Sequence, residues 1–391
     1  MNKAVTTVFK QSENSSFDRL VFIHRADIGP LISNTKYEYK VGTFDAHSPW
    51  FTFNSIPTTN DWSPTFSIFG DFGLINPVIL NSLELQVALN NVTCFLHVGD
   101  IAYDLHDDNG RVADKFLDLI QPIAARVPYM VQVGNHEQYM NFSQYRNRFT
   151  TPLPNVFYYS FNIGPIHFIA VSGEFYYYTN YGIAQIESQY NWLKNDLKIA
   201  NQNRNKQPWI ITLAHRPMYC RSNGHHECHD ADNAYRVGYK GKWPMEKLFY
   251  DERVDIMISA HQHVYQRLYP MYNYTYYPMK DTSYYDNPQA PVHLIVTSGG
   301  CYLPRTTFQN PIDWLITRSN LFGFLRMKAV DKLTLTFDKL ILNDVFDVPK
   351  IVDSFTITKS SPYPHFYNSS NGIKSSNVST SLLHRTVELY Y

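Results

Sequence analysis

Five short stretches of this 391-residue chain carry residue types suited to metal-assisted chemistry. They are Gly70-Asp71-Phe72-Gly73, Gly99-Asp100-Ile101-Ala102-Tyr103, Gly134-Asn135-His136-Glu137, Ala214-His215 and Ala260-His261-Gln262-His263. Each alone means little, since Gly-Asp is a common turn pair and a lone histidine is more often a satisfied polar residue than a ligand. Carboxylates and imidazoles with an amide oxygen suit a borderline-hard cation. The seven candidates Asp71, Asp100, Tyr103, Asn135, His215, His261 and His263 form two four-ligand sets if one carboxylate is shared. Two such cations, ~3.5–4 Å apart, can clamp both oxygens of an in-line displacement. A single zinc with spare histidines is the competing reading. It would leave several of these groups buried and unpaired, which is costly.

Each stretch follows a β-type run, at residues 65–69, 93–98, 129–133, 209–214 and 254–259. In open α/β sheets, ligands bind beyond the carboxyl ends of the strands. Helical spacing of apolar residues intervenes, with Ile79, Leu83 and Val87 on one face, then Phe116, Leu119, Ile120 and Ile123, then Ile186, Tyr190, Leu193 and Leu197. A further helix is expected at 245–249, and an antiparallel strand pair at 157–162 and 167–171 across Gly164-Pro165. Strands at 292–297, 333–337 and 352–358 complete a layered α/β domain over residues 64–359. Residues 1–55 read as three strands, at 20–24, 37–41 and 50–53, which is part of a β-sandwich, since a whole one needs about seven strands. A linker rich in Pro, Thr and Asn follows, and residues 360–391 read as a tail.

Composition narrows the function. With 34 Lys+Arg against 34 Asp+Glu, the chain lacks the basic excess of a protein held on nucleic acid by phosphate contacts. No apolar run approaches the ~20 residues of a spanning helix. Cys94, Cys220, Cys228 and Cys301 fit no zinc-finger spacing, and a local staple between Cys220 and Cys228 competes with two free thiols. Sequons at Asn14, Asn91, Asn141, Asn273, Asn368 and Asn377 lean toward a glycoprotein in an oxidising compartment, secreted or lysosomal. The first residues show no signal peptide, so either the protein is cytosolic or its true N-terminus lies further upstream, and the sequons and the incomplete sandwich favour the latter as the expectation.

The ordered series Asp71-x-Gly73, Gly99-Asp100-x-x-Tyr103, Gly134-Asn135-His136-Glu137, Ala214-His215 and Ala260-His261-x-His263 resembles the purple acid phosphatases of the metallophosphoesterase superfamily. It is most similar to the larger, plant-type enzymes found in animals, and the resemblance runs from about residue 15 to 359. It implies a layered α/β/β/α metallophosphoesterase domain preceded by a partial fibronectin-like sandwich. It implies Fe(III) on Asp71, Asp100, Tyr103 and His263, and a divalent ion (Zn, Fe or Mn) on Asn135, His215, His261 and the shared Asp100. Two carboxylates and one phenolate against five positive charges leave a surplus that attracts phosphate. The implied reaction is hydrolysis of phosphate monoesters by in-line attack of a metal-bound hydroxide. His136 is the expected proton donor or phosphate binder, assisted by His225 or His226.

This chain departs from the resemblance at Ala260, where Gly is frequent, and at Gln266, where Glu is frequent. The latter would remove a charge that orients ligands. Expected partners are a phosphomonoester substrate, with no nucleic acid and no membrane span, and a homodimer is the protein association considered. A phosphodiesterase or nucleotidase of the same superfamily is the second enzyme reading, opposed by Tyr103. A binding protein on an inactive scaffold is opposed by the complete ligand set.

Overall fold

Strands Cys94–Val98, Ile166–Ala170, Trp209–Leu213 and Ile256–Ser259 are buried at every position. Strands apolar on both faces require a sheet covered on both sides. The computed structural model, which describes residues 3–11, 18–153, 155–224, 226–296, 298–363 and 372–374, has two seven-stranded sheets that meet this need. One runs in the order Tyr284–Asp286, Lys350–Thr358, Thr334–Ile341, Gly323–Asp331, Thr65–Phe69, Cys94–Val98, Tyr129–Gln132. The other runs Leu315–Ser319, Tyr265–Leu268, Val292–Ile295, Ile256–Ser259, Trp209–Leu213, Ile166–Ala170, Tyr159–Ile163. The last three strands of the first sheet are parallel, as are the four from Val292–Ile295 to Ile166–Ala170 in the second.

Side-chain alternation splits each strand between two cores. Phe66, Ile68, Leu96 and Val98 face Phe168, Ile211, Leu213, Ile258 and Leu294 between the sheets. Phe69, Phe95 and Val131 point the other way and pack with helices Leu80–Ala88 and Asp107–Ala124. On the far side Ile169, Ile210 and Met257 pack with Ala184–Gln202 and Met245–Asp251. The result is the expected four-layer α/β/β/α domain.

Several strands escaped sequence reading. Val5–Gln11 pairs with Arg19–Arg25, and Lys36–Tyr39 pairs with Phe51–Asn54. Among its described residues the N-terminal segment therefore holds four strands in two antiparallel pairs, where three were expected. It is also not free-standing. Arg19 and Arg148 both ion-pair with Asp114, Gln144 bonds Gln11, and the Tyr39 hydroxyl donates to Ala125 O at 2.8 Å. Tyr265–Leu268 contains Gln266 and Arg267, which argue against a buried strand until Arg267 is seen paired to Asp353 at 2.8 Å.

Of the tail, Ile373–Lys374 pairs with Thr275–Tyr276, and the rest of residues 364–391 lies outside the described residues apart from Gly372. Asn14, Asn368 and Asn377 lie there or in the other undescribed stretches, whereas Asn91 and Asn273 are exposed. Cys220 and Cys228 are disulfide-bonded, and Cys94 and Cys301 are free and buried. Among the described residues no helix is long and apolar enough to cross a membrane.

Candidate metal centre

The parallel strands end on one edge of the double sheet, and their following loops continue side by side. Asp71, Phe72 and Gly73 donate their N–H groups to Gly99 O, Asp100 O and Ile101 O at 3.1–3.2 Å. Ala260 N–H reaches His215 O at 2.9 Å. To send side chains into the crevice, the backbone turns sharply. Asp71, Asp100, Tyr103, His261 and His263 all have positive φ, from 45° to 70°. Such conformations cost about 1–3 kcal/mol each for non-glycine residues and gather at functional sites. Gly134 is required by close approach, because a Cβ there would stand 2.3 Å from Asp100 Oδ1.

All seven candidate ligands converge in two groups. In the first, His263 Nε2 lies 3.0 Å from Tyr103 Oη and 3.3 Å from Asp71 Oδ1. Tyr103 Oη is 3.2 Å from Asp71 Oδ1, and donor atoms of Asp71, Asp100 and His263 lie within 4.8 Å of one another. In the second, His215 Nε2 lies 3.1 Å from Asp100 Oδ2, 3.1 Å from Asn135 Oδ1 and 3.2 Å from His261 Nδ1. Asp100 belongs to both groups.

Proton counting shows that the second group fits a cation. His215 Nδ1 lies 2.9 Å from the Val98 carbonyl, which can only accept, so Nδ1 carries the proton. In the neutral ring Nε2 is then a lone pair. It faces a carboxylate oxygen, an amide oxygen and His261 Nδ1, and when His261 carries its proton on Nε2 these are four acceptors with no hydrogen to share. A divalent cation satisfies them together, and N/O donors of this kind suit zinc, iron or manganese.

Without a cation, protons must do this work. Burial opposes charge on His215, but the Asp100 carboxylate outweighs it and lifts the pKa to about 10. Burial and Asp71 act likewise on His263, which rises to about 11. Burial, then Asp71 and Asp100, raises the Tyr103 phenol well above its ordinary value. A phenolate at Tyr103 therefore needs a strongly charged partner beside it.

Around the ligands sit residues of uneven legibility. His136 N–H donates to Asp100 Oδ1 at 2.9 Å, its ring lies 4.3 Å from the Tyr103 ring, and it is 24% exposed. Glu137 accepts N–H bonds from Asp100 at 3.0 Å and from Ile101 and Gly134 at 2.8 Å, welding two ligand loops together. His226 is exposed, and its described ring contact is with His229 at 5.7 Å. His225 lies outside the described residues.

The two departures resolve simply. The Ala260 Cβ occupies space left by Gly70, where a second Cβ would come within 2.4 Å. Gln266 accepts from Arg221 N–H at 2.8 Å and thus anchors the loop after His215. Two carboxylates that reach the site were missed. Asp104 Oδ1 lies 2.7 Å from His136 Nδ1, and Glu227 Oε1 lies 3.3 Å from His261 Nε2. Asp104 is adjacent to Tyr103 and could have been suspected, whereas nothing local marks Glu227.

Comparison with known proteins agrees with this geometry. Residues 65–265, just over half of the chain, match the calcineurin-like phosphoesterase family. Acid phosphatase type 7 of Danio rerio is 39% identical over 355 residues, covering 88% of this chain and 80% of the relative. The Homo sapiens protein of the same name is 40% identical over 316 residues, covering 80% and 72%. A purple acid phosphatase from yellow lupin (Lupinus luteus) seeds superposes with a TM-score of 0.74 at 25% identity, covering 92% of this chain and 67% of that one.

Proposed function

We infer the function of this chain from its family: it belongs to the calcineurin-like phosphoesterases, in their purple acid phosphatase branch, and is a phosphatase. We propose that it hydrolyses phosphate monoesters at a dinuclear Fe(III)–divalent centre. Asp71, Tyr103, His263 and Asp100 would hold iron, and Asn135, His215, His261 and the shared Asp100 would hold zinc, iron or manganese. The observation that carries this reading is the pair of acceptor groups meeting at Asp100. When bound, the cations supply Lewis acidity toward phosphate and an acidified water for in-line displacement.

The chain's own residues do the rest. The strained loops, fixed by Glu137, hold the donors so that little reorganisation accompanies reaction. Asp104 holds His136 at Nδ1, leaving Nε2 as the ring nitrogen available to the substrate side. In the metal-free protein burial opposes protonation of His136, but the Asp100 and Asp104 charges prevail and raise its pKa to about 9; with cations on Asp100, the Asp104 carboxylate is the partner that favours the protonated ring in acid. It can then donate to a phosphate oxygen or to the leaving alkoxide. His226 and His225 are assigned no more than an assisting role. The sequons and the Cys220–Cys228 bond support a secreted or lysosomal glycoprotein.

The test is metal analysis of the purified protein, with a visible spectrum and turnover of p-nitrophenyl phosphate against bis-p-nitrophenyl phosphate at acid pH. Two metals per chain including iron, a visible band and monoester preference are expected. A diester preference or a mononuclear protein would sink the proposal.

A further inference from the structure

We propose that Glu227 is a positioning residue for His261, selecting the ring nitrogen offered to the divalent ion, and that the Cys220–Cys228 bond keeps it there. This rests on the dinuclear reading above.

His261 presents Nδ1 to the second acceptor group, 3.2 Å from His215 Nε2, and turns Nε2 outward. A neutral imidazole has one ring proton to place. Glu227 Oε1, at 3.3 Å from Nε2 and ion-paired to Arg216, is an acceptor, so it draws that proton to Nε2 and leaves the lone pair at Nδ1. Arg216 makes the choice consequential. Its Nη1 lies 3.2 Å from the same Nε2 and can only donate, which favours the opposite tautomer.

Arg216 is buried, held by Glu174 through Nε at 2.9 Å, and its guanidinium lies 4.2 Å from the Tyr177 ring. It cannot simply swing away. Glu227 resolves the conflict by ion-pairing with Arg216 while facing His261. Removing the Glu227 charge would leave an arginine directed at a ligand ring, favouring the wrong tautomer and adding positive charge beside the cation. Both effects weaken binding at this site.

Glu227 is 29% exposed, so packing alone does not hold it. Its carbonyl accepts from Asn233 Nδ2 at 2.7 Å, and the next residue, Cys228, is bonded to Cys220. The chain around Cys220 is itself pinned to the metal-ligand strands. Arg221 N–H donates to Gln266 Oε1 at 2.8 Å, and Ser222 Oγ donates to Gln262 Oε1 at 2.7 Å. Gln262 stands between His261 and His263. The disulfide thus returns Glu227 to the segment that carries the ligand it orients.

The test is zinc titration of the metal-free full chain against a chromophoric chelator, with melting temperature measured alongside. Glu227→Gln is close to isosteric and should weaken one of two zinc sites by about 10–100-fold, the loss typical for outer partners of a ligating histidine. The other site and the melting temperature of the metal-free protein should be unchanged. Glu227→Asp should recover part of the affinity. Replacing both Cys220 and Cys228 by serine should weaken the same site by a smaller factor. Unchanged zinc binding in Glu227→Gln would overturn the inference alone, as would equal loss at both sites with a lowered melting temperature. Unchanged binding in the serine variant would remove the disulfide from it. A wild-type protein that takes up no zinc would overturn the dinuclear reading itself, and this inference with it.

Discussion

Asp104 Oδ1 and His136 Nδ1 lie 2.7 Å apart, and they join two different ligand loops. Asp104 follows Tyr103 and His136 follows Asn135. One member of each proposed metal set is therefore coupled to the other through a pair that is itself outside both sets. His136→Ala should lower kcat/KM at least tenfold, within the ~10²–10⁴-fold range of a positioned acid, while both metals stay bound. Asp104→Asn should lower it less. Steady-state kinetics with metal analysis of each variant decides this, and a fully active, fully loaded His136→Ala protein would remove the residue from the mechanism.

Tyr103 is the only phenol in the ligand groups, and its pKa in the metal-free protein is far too high for ionisation near neutrality. Iron on Tyr103 would hold it as phenolate and give a charge-transfer band. Tyr103→Phe should lose the band. The check is the visible spectrum at equal iron content, and a colourless wild-type protein with full iron would refute the assignment of Tyr103.

Asp100 is common to both groups. Asp100→Ala should loosen both metals and abolish activity, whereas Asp71→Ala should mainly release iron. Elemental analysis after dialysis measures this. Retention of two metals per chain by Asp100→Ala would exclude sharing.

The raised values of His215, about 10, and His263, about 11, mean both rings are protonated at neutral pH when no cation is bound. For raised folded values the sign is definite. Their stabilisation of the metal-free protein is fully present below the ordinary 6.5 and disappears as pH climbs through about 10 for His215 and about 11 for His263. Cation binding must expel those protons, so affinity should rise with pH by about tenfold per unit for each proton displaced. Calorimetric zinc titration at pH 7 in buffers of different ionisation enthalpy should show proton release, and heats independent of the buffer would contradict it.

Lys339 Nζ is fully buried without a hydrogen-bond partner among the described residues, 5.8 Å from the Tyr265 ring, and burial drives its pKa well below the ordinary 10.5. The unfolded chain binds this proton and the folded chain resists it, so wild-type stability gains as pH rises toward 10.5. Lys339→Met should raise the melting temperature at neutral pH, with an advantage that shrinks on approach to pH 10. Thermal melts of both proteins across that range test it, and a variant less stable at neutral pH would show the amine to be paired.

The candidate ligands and their order were legible in the chain itself, because most of them sit within two or three residues of the end of a short β-type run. Asp71, Asp100, Asn135, His215 and His261 required no knowledge of distant residues to be placed at strand ends. The Cys220–Cys228 bond was open in the sequence, and three-dimensional proximity decided it. The residues alone left open which carboxylate is shared, and the family resemblance implied Asp100; the structure adds that His215 and His263 both approach it from far along the chain.

Asp104 could be suspected from its place beside Tyr103, but which imidazole nitrogen it and Glu227 face belongs to tertiary structure. A carboxylate's local sequence carries no record of which imidazole nitrogen it will face. The N-terminal strand Val5–Gln11 was missed for a related reason: five of its positions are exposed, and its inner side is covered by Gln144 and Arg148 of the phosphatase domain. Strand ends and residue types are local properties written in periodicity and composition. Proton direction, charge pairing and shared ligation depend on distances between segments far apart in sequence, and only packing sets those.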